Sequence, residues 1–109
     1  MLWKCSFCGY IHHGSEAPEK CPKCGNPKEM YSALPEEDAK KVSSSDRTND
    51  IHMEIIKLAM KIKNLAKEGI EINLDPNCVA VFKNASDEAL VIKQRSKAEI
   101  AGHVGRGKW

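Results

Sequence analysis

Cys5-Ser6-Phe7-Cys8-Gly9-Tyr10 and Cys21-Pro22-Lys23-Cys24-Gly25 decide how the first part of this chain folds. Two cysteines with two residues between them can aim both sulfurs into one hole if the backbone turns tightly. A glycine directly after the second cysteine lets the chain take a positive φ there. The same turn points backbone N–H groups at the sulfurs. Both pairs carry that glycine, and Pro22 stiffens the second turn. Twelve residues, Gly9 to Lys20, separate the pairs, so two such knuckles can face each other. Four sulfurs then stand at the corners of a tetrahedron, the donor set of zinc or a single iron. Cys5, Cys8, Cys21 and Cys24 are the candidate metal ligands. Disulfides are the competing reading, and adjacent-turn cysteines pair awkwardly within their own knuckle.

Working outward, residues 1–31 hold four of the five cysteines and three of the five prolines and show little periodicity. A segment with so few apolar residues cannot fold on burial alone and depends on its metal. Residues 32–46 are polar and run into three serines, which reads as a linker. Pro35 followed by Glu36, Glu37 and Asp38 would suit the start of a short helix there.

From Arg47 the pattern turns helical. Ile51, Ile55, Leu58, Ile62 and Leu65 step by 4, 3, 4 and 3 and fall on one stripe, with Gly69 as a natural stop. Beyond it, Gly69 to Leu74 alternates apolar and polar, as a half-buried strand does. Asp75-Pro76-Asn77 and Asn84-Ala85-Ser86-Asp87 read as turns around the apolar run Cys78–Phe82 and ahead of Ala89–Ile92. Ser96-Lys97-Ala98-Glu99 has capping-box spacing and opens a short helix ending near Gly102. The expectation for 47–109 is therefore a helix, a three-stranded antiparallel meander and a short helix. The alternative is one helix from Ser86 to Val104, forming an αα-hairpin with the first. With the knuckles, the fold class is α+β.

At 109 residues, with 17 basic and 15 acidic side chains, the chain is too mildly charged to imply nucleic-acid binding. No run approaches the roughly 18 apolar residues that a membrane span needs. The chain opens without an apolar signal segment, and its cysteine usage fits a reducing compartment, so a cytoplasmic location is expected.

The stretch from Trp3 through Cys8-Gly9-Tyr10, Glu16-Ala17-Pro18 and Cys21-Pro22-Lys23-Cys24-Gly25 to Tyr31 resembles the rubredoxin-like domain of the rubrerythrin family. The resemblance implies one iron, cycling between Fe2+ and Fe3+, on Cys5, Cys8, Cys21 and Cys24, and a one-electron transfer role serving another redox protein. It covers under a third of the chain. The family's di-iron peroxidase site, built from Glu-x-x-His pairs in a helical bundle, has no counterpart here. Glu99 and His103 are four apart, not three, so no catalytic residue is assigned. The other reading of the cysteines is a structural zinc ribbon that scaffolds a protein or nucleic-acid interaction.

The remaining candidates read more plainly. His12 and His13 are surface residues beside a shell already complete with four thiolates. Trp3 and Tyr10 pack over the knuckles, and Cys78 is an inert buried thiol. Asp50, His52, Glu54, Glu99 and His103 read as exposed polar groups. The stripe on 47–68 is a candidate homodimer or partner surface.

Overall fold

The computed structural model describes all residues, 1–109. The chain divides into two compact units, Met1–Ser44 and Ser45–Trp109.

The first unit is a three-stranded antiparallel sheet with two knuckles. Strand β1 (Leu2–Cys5) lies between β2 (Ile11–His13) and β3 (Tyr31–Ala33). Its register sets Trp3 opposite His12 and Ala33, and Cys5 opposite Tyr31. Strands of three or four residues bury little by themselves. The core is instead the metal-ligand candidates and their cover: Cys5, Ala17, Cys21 and Tyr31 are buried, with Trp3, Tyr10 and Met30 packed against them. The Trp3 indole N–H donates to the Gly14 carbonyl at 3.2 Å and ties the interknuckle loop to β1. A single 3-10 turn, Lys28–Met30, leads the second knuckle into β3.

Helix α1 (Glu36–Ile72) begins eleven residues earlier than the periodicity suggested, so the segment read as a linker is helical from Glu36. The three acidic residues of its first turn complement the helix dipole, and the Ala39 N–H closes on the Pro35 carbonyl at 2.9 Å.

The α+β class stands, but the strands all lie in residues 2–33, and the expected meander and short C-terminal helix are not formed. Residues 76–105 are one helix, α2 (Pro76–Gly105), so the second unit contains an αα-hairpin. Three local features explain the difference. Asp75 is an N-cap: its carboxylate accepts the Cys78 N–H at 2.8 Å, and Pro76 takes a first-turn position where no N–H is needed. The Asp-Pro-Asn turn signal is therefore a helix start. Gly69 does not stop α1. The Phe82 ring occupies the place where its Cβ would be, so glycine is what lets the two helices close there, and Asn73, at φ 52°, ends α1 instead. Asn84 to Asp87 sits in mid-helix, where Lys63 of α1 donates to the Ser86 hydroxyl at 3.3 Å.

The seam of the hairpin is small and polar. Ala59, Ala66 and Ala89 are its buried apolar residues, and Ser45, Asn49, Ser96 and His103 are buried beside them. Asn49 meets His103, His52 meets Ser96, Lys63 meets Ser86 and Gly69 abuts Phe82. Numbers rising on α1 and falling on α2 fix the antiparallel register. Neither helix is long and apolar enough to cross a membrane.

Candidate metal centre

Both knuckles fold by the same local rules. In the first, the Gly9 N–H donates to the Cys5 carbonyl at 2.9 Å and the Cys5 N–H to the Tyr10 carbonyl at 2.9 Å. In the second, Gly25 donates to Cys21 at 2.9 Å and Cys21 to Asn26 at 2.8 Å. Gly9 and Gly25 have φ of 80° and 77°, and a Cβ at either would touch nothing. Glycine is needed there for its backbone, not for space.

The four sulfurs converge as the spacing predicted. The Sγ atoms of Cys5, Cys8, Cys21 and Cys24 all lie within 4.8 Å of one another. Across the knuckles, Cys5 and Cys24 are 3.8 Å apart and Cys8 and Cys21 3.5 Å apart. A tetrahedron with metal–sulfur bonds of about 2.3 Å has edges of about 3.8 Å, so the hole has the size of one metal ion. All four cysteines are free.

Donors surround the sulfurs. The Asn26 side-chain amide donates to Cys24 Sγ at 3.2 Å. The Asn26 backbone N–H, together with that amide, outweighs burial and holds the Cys24 thiol below its ordinary range. Burial pushes Cys21 up. The Tyr31 hydroxyl, the Cys24 and Lys23 N–H groups and Cys8 together overcome that and bring it to about 6. At Cys8 the Tyr10 N–H favours the thiolate, but burial and the sulfurs of Cys21, Cys24 and Cys5 push this thiol up to about 11. Neighbouring sulfurs thus push one another's ionisation apart, as like charges that share a site do. The buried Tyr31 hydroxyl makes no hydrogen bond of ordinary length. Burial, then the Cys21 thiolate, push its ionisation far up, so it stays a neutral O–H directed to the sulfur cluster. A charged sulfur acceptor suits that orphaned donor, and metal-bound thiolates would supply one.

The other sequence candidates separate clearly. His12 and His13 lie on β2 outside the sulfur cluster. Lys28 pairs with Glu16 and Glu19 at 3.2 and 3.4 Å across the loop between the knuckles. Cys78 lies in the first turn of α2, half-buried. The reading of His52 and His103 as exposed is corrected: His103 is buried, its Nδ1 donating to Asn49 Oδ1 at 2.5 Å and its Nε2 3.3 Å from Glu99. His52 Nδ1 lies 3.1 Å from the Ser96 hydroxyl, with the two rings edge to face. The Asn49 amide and the Ser45 hydroxyl both donate to the Lys108 carbonyl at 2.7 Å. This network knits the hairpin's open end. Its sequence signal was the seven-residue step Ala89, Ser96, His103, which hydrophobic periodicity does not register.

Fold and site together define a four-thiolate metal-knuckle domain with a helical hairpin unit behind it in sequence. Residues 3–32 match the family model described as rubrerythrin, rubredoxin-like domain, and in sequence this stretch is similar to that domain. The rubrerythrin of Nitratidesulfovibrio vulgaris is 50% identical over 32 residues, 29% of this chain and 17% of the relative. That of Clostridium perfringens is 47% identical over 36 residues, 33% of this chain and 18% of the relative. Reverse rubrerythrin-1 of Clostridium acetobutylicum is 33% identical over 79 residues, 72% of this chain and 39% of the relative. The last match is longer than the knuckle unit and takes in helical chain too. In every case this chain spans well under half of the relative's length. No solved structure matches the chain at a significant level.

Proposed function

We propose that the knuckle unit holds one iron ion on Cys5, Cys8, Cys21 and Cys24 and works as a one-electron carrier for another redox protein. The observation that carries this reading is the convergence of four sulfurs, at metal-tetrahedron spacing, inside a rubredoxin-like domain. When bound there, iron supplies a ferric–ferrous couple that changes charge with little change of shape.

The chain's own residues supply the rest. The N–H donors of Tyr10, Lys23, Cys24 and Asn26 draw charge from the sulfurs, which fixes their positions and favours the state carrying one more electron. Trp3, Tyr10, Met30 and Tyr31 keep water from the inner side of the site. Cys5 and Cys21 are buried, whereas Cys8 and Cys24 are only half-buried. Phe7, between the first two ligand candidates, is 71% exposed. An electron therefore has a short way in at the knuckle surface, and Phe7 offers a partner an apolar contact beside it. Five free thiols suit a reducing compartment such as the cytoplasm.

Protein purified from cells grown with iron should be red, and its visible bands should bleach with dithionite and return in air. A colourless preparation with one zinc per chain would replace this reading with a structural zinc ribbon.

A further inference from the structure

Ala59, Ala66 and Ala89 are the buried apolar residues of the hairpin seam, while several large apolar residues of α1 stand exposed. Ile51, Leu58, Ile62 and Leu65 are between 41% and 57% exposed. Each of three buried or half-buried seam residues follows one of them directly: His52 after Ile51, Ala59 after Leu58, Ala66 after Leu65. One residue is about 100° of helix rotation. The exposed apolar stripe thus lies beside the seam, about a quarter turn round α1, with α2 covering only its His52, Ala59 and Ala66 edge. Paired helices owe their stability to buried apolar faces, and the fully buried apolar residues of this seam are three alanines.

Along the outer edge of this stripe the charges follow a rule. Arg47, Glu54, Lys61 and Glu68 recur every seven residues with alternating sign. All four are exposed, and none enters an ion pair within the chain. Positions seven apart lie two turns apart on one helix, too far to pair with each other. A second copy laid antiparallel, with the two-fold axis midway between positions 54 and 61, sets 54 against 61 and 47 against 68. Every contact then joins opposite charges. Sliding that copy by seven residues sets Glu54 against Glu68 and Lys61 against itself. A parallel copy meets the other edge of the stripe, His52, Ala59 and Ala66, which α2 already covers.

We propose that a second copy of this chain packs antiparallel on α1, across Ile51, Leu58, Ile62 and Leu65, in the register that sets Glu54 against Lys61. The face is isologous, as a two-fold dimer requires. The apolar stripe supplies affinity and the alternating charges select the register. This assembly does not depend on which metal the knuckles hold.

Sedimentation equilibrium of the full chain as purified tests it. The wild type is expected to be a dimer. E54K and K61E each place like charges at both symmetry-related contacts and should weaken dimerisation about tenfold. An equimolar mixture of the two variants should regain wild-type affinity, because each 54–61 contact then joins opposite charges. The E54K/K61E double variant should regain it alone. A monomeric wild type, single variants that dimerise as tightly as the wild type, or a mixture no tighter than either variant would overturn the proposal.

Discussion

At the scale of single residues, Gly9 and Gly25 show how backbone conformation rather than space sets a metal site. A Cβ at either meets no neighbour, yet both have φ near 80°. Gly9→Ala or Gly25→Ala should therefore cost about 1–2 kcal/mol of site stability, read as faster metal loss to a chelator. Asn, which tolerates this φ better, should cost less. The thiols carry a pH prediction. With no metal bound, Cys21 is a thiolate above about pH 6, whereas Cys8 keeps its proton to about pH 11. At neutral pH metal uptake must displace the Cys8 proton, so affinity falls as pH falls. Below about pH 6 the Cys21 proton must be displaced as well, so the loss should steepen by one proton. Chelator competition across that range measures the slope. These residues were legible in the sequence because a knuckle is a local structure. Cysteine spacing and the glycine after each pair specify it without help from the rest of the chain. Tyr31 was harder to read, since only the pairing of β3 with β1 brings it opposite Cys5.

At the scale of elements, α1 and α2 show why a hydrophobic pattern can be read correctly and still mislead. The stripe from Ile51 to Leu65 is helical as expected, but it is not the face that meets α2. That face is Asn49, His52, Ala59 and Ala66, whose partners Ala89, Ser96 and His103 are equally small or polar. With no apolar face to announce it, α2 left only its apolar runs and turn-forming residues in view, and these imitate strands. Asp75 looked like a turn because one side chain serves as turn former and as helix cap alike. The close approach at Gly69 gives a prediction opposite to ordinary helix propensity. Ala usually stabilises a helix interior over Gly by about 0.5–1 kcal/mol. Here Gly69→Ala would drive its methyl into the Phe82 ring, and the overpacking should cost about 1–3 kcal/mol instead. Thermal melts followed by far-ultraviolet circular dichroism give the sign. Adding Phe82→Leu to Gly69→Ala should recover part of the loss.

At the scale of the whole molecule, the chain joins a unit held by four sulfurs to a unit held by helix packing and a polar network. Their stabilities rest on different chemistry, so they should part under substitution. Cys8→Ser should abolish tight metal binding and unfold the Met1–Ser44 unit, while the helical signal of Ser45–Trp109 largely persists. Loss of the whole helical signal would show that the division into two units is wrong. X-ray absorption at the metal edge of the purified protein tests the central assignment most directly. Four sulfur scatterers at about 2.3 Å and no lighter ligands are expected. A shell containing nitrogen or oxygen, or protein whose four cysteines are oxidised with no metal present, would contradict it.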